Sequence, residues 1–183
     1  MLWELMLVEL VTNLQRILYK LEIQSWCGFG REEAPMSIPI NSAARYVCAS
    51  GNWGVTNLAL QKILYLAHMI HLGRTGQRLI DGEFEAWDYG PVNPRLYRAV
   101  RMFGDKPIQD VFFGAPRIFG TPEEETLREA CEHLLSKDPS ELVAMTHRSN
   151  GAWAKHYVPR IRSIVIPDVD IVAEYNVRTA AQA

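Results

Sequence analysis

The stretch TNLALQKILYLAHMIHLG, residues 56–73, carries the strongest helical pattern in the sequence. Thr56 is a residue type favoured at helix N-caps, because its hydroxyl can accept a hydrogen bond from a free N–H of the first turn. Gly73 is a residue type that ends helices. Between them, apolar and histidine side chains recur at helical spacing along one stripe: Leu60, Ile63, Leu64, Ala67, His68 and His71. The pattern predicts one long helix, from about residue 56 to residue 72.

The residues that follow predict a small β element and another helix. Residues 83–88, EFEAWD, alternate apolar and acidic side chains, which is typical of a short, half-exposed strand. The next four residues, YGPV, indicate a turn. Asn93 followed by Pro94 indicates a helix start, since proline is favoured at the first helical position. Residues 106–113 then predict a second strand, which pairs with the first as a hairpin-like patch.

Further helices are predicted on both sides of this region. A short apolar pattern at residues 40–49 indicates one helix upstream. Downstream, a cap residue, a proline and a glutamate occur in the order that begins a helix in two places: TPEE at 121–124 and DPSE at 138–141. A third strand at 164–166 and a last helix from about residue 167 to 177 complete the set. With about six helices, the predicted fold class is mainly α (α+β), its helices packed around a small two- or three-stranded β element.

The chain that precedes these elements differs in character. Residues 1–24 fit an amphipathic helix, and the sequence CGFGREEAP, which ends at Pro35, breaks the pattern with two glycines and a proline. Met36 is a second candidate start, and the sequence leaves open whether residues 1–35 belong to the native protein. We therefore divide the chain into an N-terminal amphipathic extension and linker, residues 1–35, and one domain, residues 36–183.

Composition restricts the class of protein. A chain of 183 residues is long enough for one domain with a substantial core. The formal net charge of −2 argues against nucleic-acid binding, and no apolar run reaches the ~18 to 20 residues that cross a bilayer. Three widely spaced cysteines are typical of a reducing compartment. We predict a cytoplasmic protein without a membrane partner, and the sequence leaves a homo-oligomer open.

Motifs for catalysis and metal binding are scarce. The sequence contains no phosphate-binding loop, nucleophile elbow, zinc-protease motif or dinucleotide-binding motif. His68 and His71 have a spacing that two metal ligands could use, but their place on the apolar stripe favours core histidines. His147 could act as a general base, but a helix end, where the helix dipole favours its charged form, suits it better. We predict no catalytic residue, no metal site and no cofactor.

Aromatic side chains are concentrated in one short window that contains Phe84, Trp87, Tyr89, Tyr97 and Phe103. Trp and Tyr anchor both protein cores and protein–protein interfaces. The window is therefore either a core corner, where a strand meets a helix, or a surface that binds a partner.

Residues 60–104 resemble the Panacea domain, an antitoxin family that includes SocA-like, phage-associated proteins. Two motifs carry the resemblance: LQKILYLA at 60–67 and FEAWDYGPVNPRLY at 84–97. Leu142, Thr146, His147 and Trp153 resemble the tail of that family, so that the resemblance covers about residues 38–178.

The resemblance implies a mainly helical antitoxin without an active site or a cofactor. It implies that the protein neutralises a toxin encoded by a neighbouring gene through direct binding, and that SocA-like members deliver a toxin to a ClpXP-type protease as adaptors. We therefore expect a cognate toxin as the partner and a ClpXP-type protease as a further candidate partner. The alternative function is a DNA-binding regulator of its own operon, and an enzyme that uses His147 is a third.

The motif residues could build either the scaffold or the surface that binds the toxin. A tight turn at Gly90-Pro91 would place Trp87 and Tyr89 beside the helix that starts at Pro94. We interpret three motif residues as core: Leu64, Phe84 and Tyr97. The motif residues that we expect to be exposed and to bind the partner are Lys62, Trp87, Tyr89 and Arg95.

Overall fold

One central helix organises the part of the chain that the structure describes. The computed structural model describes residues 37–180. Within this range, a 3-10 turn at Arg101–Phe103 follows the third of seven α-helices. The helices and the two antiparallel strands are α1 (Ile40–Ser50), α2 (Asn57–Thr75), β1 (Glu85–Trp87), β2 (Gly90–Val92), α3 (Pro94–Val100), α4 (Pro122–Leu134), α5 (Pro139–Thr146), α6 (Ala152–His156) and α7 (Asp168–Ala180). The predicted class, mainly α with a small β element, is confirmed.

Several predictions for the N-terminal part lie outside the described residues. They are the amphipathic helix of residues 1–24, the linker that ends at Pro35 and the candidate start at Met36. The division of the chain at residue 35 therefore stays a prediction.

Helix α2 is buried on every side and not along one stripe only. Every residue from 60 to 69 is buried, and α1, α4, α5, α7 and the hairpin pack against the helix. Thr56 caps its N-terminus as predicted, since the hydroxyl accepts a hydrogen bond from the Ala59 N–H. A helix that is apolar all round forms the core of a domain or spans a membrane. No helix among residues 37–180 is long and apolar enough to cross a membrane.

Helix α2 continues past the glycine that was predicted to end it. Gly73 lies within the helix, where an added Cβ would be 2.1 Å from Cδ1 of Tyr175 in α7. The helix ends instead at Gly76, which has a φ of 71° and donates its N–H to the Leu72 carbonyl. Gly73 therefore allows two helices to approach closely, and Gly76 supplies the left-handed residue that stops α2.

The second strand differs from the prediction. The predicted strand at residues 106–113 is wrong: this segment forms only a single β-bridge, between Pro107 and Thr56 just before α2, beside which the Ile108 N–H donates to the Val55 carbonyl. The partner of β1 is β2, part of the sequence interpreted as a turn. A connection of two residues makes this pairing local, whereas a pairing with residues 106–113 would close a longer loop at a greater cost in entropy. The register of the pair is Glu85↔Val92, Ala86↔Pro91 and Trp87↔Gly90.

The predicted third strand, residues 164–166, forms a single β-bridge with β1, between Val165 and Glu85. Two backbone hydrogen bonds flank the bridge. The Ala86 N–H donates to the Ile164 carbonyl, and the N–H of residue 166 donates back to residue 84. The segment that leads into α7 is thereby tied to the hairpin.

The helix starts follow the cap residues of the sequence. Asn93 Oδ1 accepts hydrogen bonds from two backbone N–H groups in the first turn of α3. Asp138 and Glu141 complete a reciprocal capping box at α5. At α4 only half of the predicted box forms, because Thr121 accepts from the Glu124 N–H while the Glu124 carboxylate accepts from the residue before the cap.

Two polar side chains of α2 hold the hairpin in place. Gln61 Oε1 accepts a hydrogen bond from the Asn93 N–H at 2.8 Å, and Lys62 Nζ donates to the Pro91 carbonyl at 2.8 Å. Lys62 is fully buried, and this burial lowers the pKa of its ammonium group to about 7. The position of β2 therefore depends on side chains of the central helix as well as on its pairing with β1.

Replacing Gly73 with Ala is expected to lower the free energy of unfolding by about 1–3 kcal/mol, because the new Cβ collides with the Tyr175 ring and overpacks the contact. Chemical denaturation measures the change. In a Tyr175→Ala background the ring is absent, so the same substitution should have a smaller effect. A stabilised Gly73→Ala variant, as helix propensity alone would predict, would contradict the close packing of α2 against α7.

The lowered pKa of Lys62 predicts a stability that increases with pH. Between the folded pKa near 7 and the ordinary value of 10.5, the unfolded chain binds more protons than the folded one, so the free energy of unfolding increases with pH. The contribution of Lys62 between pH 7 and 8.5 is about 1.5 kcal/mol. Denaturation of the protein and of a Lys62→Met variant at each pH isolates this contribution, because the other titrating groups are common to both. Parallel pH profiles would show that Lys62 keeps its ordinary pKa.

Candidate partner-binding site

The turn between β1 and β2 lies beside an open pocket. Asp88 and Tyr89 form the turn, and Tyr89 is 72% exposed. The pocket has a volume of about 250 Å³. Residues from α2, the hairpin, α3 and the segment before α7 line it, among them Asn57, Lys62, Trp87, Tyr89, Tyr97 and Arg162.

Trp87 is half-buried and fixed from three directions. Its ring meets the Tyr97 ring edge to face, with centroids 4.9 Å apart, and the guanidinium carbon of Arg162 lies 4.6 Å from the indole centroid. The indole N–H donates to the Glu85 carboxylate at 2.7 Å. Edge-to-face pairs and cation–π contacts each favour one ring orientation. The wall of the pocket is therefore ordered before any partner arrives.

A stack of rings supports the turn from behind. His147 lies against Trp153 with ring centroids 3.8 Å apart, and Trp153 lies against Tyr157 at 4.6 Å. The Tyr157 hydroxyl donates to the Asp88 carboxylate at 3.0 Å, and the Trp153 indole N–H donates to the Trp87 carbonyl at 2.9 Å. Trp87 and Asp88, two of the residues that border the pocket, are thus held by α6 and by the residue that follows it.

His147 lies at the end of α5, as predicted, but its charged form is not favoured there. Burial lowers the pKa of the imidazole, and the charge of Lys62 lowers it further. These two effects exceed the stabilisation that the helix dipole offers to a protonated histidine. The ring therefore serves as a neutral stacking partner.

Lys62 was predicted to be exposed, and it is not: its exposed fraction is 0%. The side chain lies under β2, and Gly90 makes room for it. A Cβ at residue 90 would lie 3.0 Å from Lys62 Nζ and 2.9 Å from Thr146 Oγ1, and the residue has a φ of 98°. Gly90 is required here both for its conformation and for the space that it leaves.

The structure brings together three of the four predicted residues. Lys62, Trp87 and Tyr89 line the same pocket. Arg95 is exposed but lies elsewhere, where it forms an ion pair with Asp81 at 2.8 Å. The other Asp81 oxygen accepts a hydrogen bond from the Ile40 N–H at the start of α1, so this pair links α3 to α1.

Sequence reasoning missed several pocket residues. Tyr97, interpreted as core, is half-buried and lines the pocket, whereas Leu64 and Phe84 are in the core as predicted. Asn57 and Arg162 lie outside the two motifs. No local pattern marks Arg162, because it reaches Trp87 only through the bridge between β1 and the segment before α7.

The two histidines considered as metal ligands are buried in α2. His68 Nε2 is 3.7 Å from Asp168 Oδ1, and burial lowers the pKa of the ring. His71 Nδ1 lies 2.9 Å from the Thr126 hydroxyl. Across residues 37–180, no group of three or more His, Cys, Asp or Glu side chains could hold a metal ion.

A larger pocket of about 620 Å³ is lined by residues of α1 and of the segment between α3 and α4. Arg117 and Phe119 border it, and Phe119 is 87% exposed. None of the four predicted partner-binding residues lines this pocket. It therefore provides control positions with similar chemistry away from the Trp87 pocket.

Comparison with known proteins covers the same part of the chain. The sequence model described as "Antitoxin SocA-like, Panacea domain" matches residues 60–154, more than half of the chain. Antitoxin SocA of Caulobacter vibrioides is 38% identical over 109 residues, which span 54% of this chain and 58% of that protein. No solved structure matches significantly. The matched region holds α2 from residue 60, both strands of the hairpin, α3 to α5 and the start of α6, and it includes most residues of the Trp87 pocket. On this match the chain belongs to the Panacea-domain family of SocA-like antitoxins.

Proposed function

We propose that the protein is the antitoxin of a toxin–antitoxin pair, that it acts in the cytoplasm, and that it neutralises its toxin by binding it at the surface around the Trp87 pocket. The observation that carries the proposal is the solvent exposure of Tyr89, whose side chain is 72% exposed on the two-residue turn between β1 and β2. Exposed tyrosines beside ordered aromatic rings are typical of residues that contribute most to protein binding.

The order of the pocket supports binding to a protein. Trp87 is held by Tyr97, Arg162 and Glu85, so that little side-chain freedom remains to be lost on binding. Such order raises affinity, since fixing a mobile side chain at an interface costs about 0.5–1.5 kcal/mol. We expect an interface of ~1,200–2,000 Å² in total, which extends well beyond the pocket itself.

Neutralisation by binding requires no catalytic group of this chain. We accordingly propose a non-enzymatic antitoxin, consistent with the family to which the chain belongs. His147, the histidine considered as a general base, is stacked on Trp153, and its buried Nε2 has no hydrogen-bond partner among the described residues.

Two mechanisms are compatible with this surface. In the first, the antitoxin masks the toxin in a stable complex. In the second, it acts as an adaptor that delivers the toxin to a ClpXP-type protease, as the resemblance implies for SocA-like members. Co-expression with the toxin in hosts with and without the protease separates them, because only the adaptor requires the protease to lower the amount of toxin.

The alternative of a DNA-binding regulator stays a prediction, and steeply salt-dependent binding to the promoter of its own operon would support it.

Replacing Tyr89 with Ala is expected to weaken binding to the toxin roughly tenfold or more, because it removes an exposed aromatic anchor. The probe is the purified product of the adjacent toxin gene, and calorimetry measures the dissociation constant. Rescue of growth when that gene is induced in a sensitive host gives a second readout.

The matched control is Phe119→Ala, which removes an aromatic side chain of similar exposure at the larger pocket. It should bind the toxin as the unaltered protein does. Both variants should keep the thermal midpoint of the parent, since neither side chain is buried. Equal affinity of the Tyr89→Ala variant and the parent would remove the Trp87 surface from the proposal.

A further inference from the structure

When Lys62 is protonated, no anion of the described part of the chain neutralises its charge. An ammonium group has three N–H donors, and the Pro91 carbonyl accepts one hydrogen bond from it. Within residues 37–180, every ion pair involves other residues. A buried ammonium without a counter-ion is unfavourable, because it has lost its water and gained no anion.

A second cation without a carboxylate partner lies at the same pocket, but this one is exposed. The Arg162 guanidinium stacks over Trp87 and has no carboxylate partner among residues 37–180. Elsewhere in this range, cations with carboxylate partners are common: Arg74, Arg78, Arg95, Arg128, Lys137, Lys155 and Arg178. Other cations, Arg45 and Arg117 at the larger pocket among them, also lack a carboxylate partner, but Lys62 is the one lysine or arginine among residues 37–180 that is fully buried.

The pocket also holds an unpaired acceptor and one carboxylate. Asn57 Oδ1 is buried and has no hydrogen-bond partner among the described residues. The carboxylate is that of Asp88, which accepts hydrogen bonds from the Tyr157 hydroxyl and the Arg160 N–H. With Lys62 protonated, two positive charges face one negative charge that is already hydrogen-bonded.

We infer that the Trp87 pocket receives one acidic side chain, an aspartate or a glutamate, of the toxin. This rests on the proposed function, which makes the pocket part of a protein interface. A volume of about 250 Å³ is below the ~300–1,000 Å³ of small-molecule pockets and suits one side chain. The carboxylate lies beside the Arg162 guanidinium and above Lys62, and a toxin backbone N–H donates to Asn57 Oδ1.

Lys62 contributes to this site without being exposed. It lines the pocket from beneath, and because its side chain is fully buried, its charge is screened little by water. Attraction between charges increases as the effective dielectric constant falls. Arg162, which is exposed, supplies the direct contact, and Lys62 adds a fixed charge under it.

The inference predicts a dependence of binding on pH. In the free protein the pKa of Lys62 is about 7, and a carboxylate in the pocket raises it, so the complex takes up a proton. The affinity should then fall about tenfold from pH 6 to pH 8, as the free lysine loses its proton. Other titratable or charged groups face Lys62: His147 from α5, Asp88 and Tyr89 from the turn, Tyr97 from α3, and Arg162. Subtracting the pH dependence of binding of a Lys62→Met variant from that of the parent protein removes the contributions of these groups.

Calorimetry with the purified toxin tests the inference on three variants. Lys62→Met and Arg162→Gln each remove one cation of the pocket, and each should weaken binding roughly tenfold or more, because the carboxylate of the toxin loses one of its two charge partners. Lys62→Met should also abolish the fall in affinity between pH 6 and pH 8. Arg117→Gln removes an exposed cation at the larger pocket and should bind as the parent does. Asn or Gln replacements of the acidic residues of the toxin should identify one position whose loss is not additive with Arg162→Gln.

The outcomes separate this inference from the proposed function. If Tyr89→Ala weakens binding while Lys62→Met and Arg162→Gln do not, an acidic side chain in the pocket is excluded. The surface around the Trp87 pocket then remains the binding site of the toxin. If no acidic residue of the toxin couples to Arg162, the inference is likewise overturned. If the toxin does not bind the parent protein, the proposed function itself fails. Should Lys62→Met not fold, Arg162→Gln and its coupling to the toxin decide the question, because Arg162 is exposed.

Discussion

The burial of α2 on every side is the constraint on which the other elements depend. A helix inside a core needs partners for most of its polar side chains, because unpaired buried groups are costly. Asn57 Oδ1 and the two His68 ring nitrogens are exceptions, with no hydrogen-bond partner among the described residues. Gln61 and Lys62 find theirs in the backbone of β2 and of the residue that caps α3, and His71 finds the Thr126 hydroxyl of α4. The short strand, its turn and two neighbouring helices are therefore positioned by hydrogen bonds from the central helix.

This arrangement explains how a two-stranded hairpin can present a rigid surface. Two-stranded sheets are only marginally stable alone. Here Lys62 holds one strand from beneath, and Trp153 and Tyr157 hold the other strand and the turn from the side. Tyr89 is consequently exposed on a support that is fixed on several sides, which favours recognition of a large partner over the enclosure of a small one.

The Trp87 pocket combines features that lower stability with features that suit binding. Burial of Lys62 without a counter-ion lowers the free energy of unfolding. The loss is full below the folded pKa of about 7 and decreases as the pH approaches the ordinary value of 10.5. A core residue without charge would be more favourable for the isolated protein. Features that lower stability tend to occur where a protein functions. The Arg162 guanidinium, which stacks on Trp87 without a carboxylate partner among the described residues, is a second unpaired cation at this pocket.

The sequence by itself determined the features that depend on neighbouring residues. Helix starts at Thr56, Asn93 and Asp138 were predictable, because a cap acts on N–H groups two or three residues away. The two motifs likewise identified the family and located the aromatic window that contains Trp87 and Tyr89.

The tertiary structure alone decided the features that join distant parts of the chain. It placed Gly73 against a ring in α7, buried Lys62 and brought Arg162 to Trp87. Each of these depends on which surfaces meet when α2 is enclosed. A residue type reports its local preference, but its burial and its charge partners are set by groups that are remote in sequence.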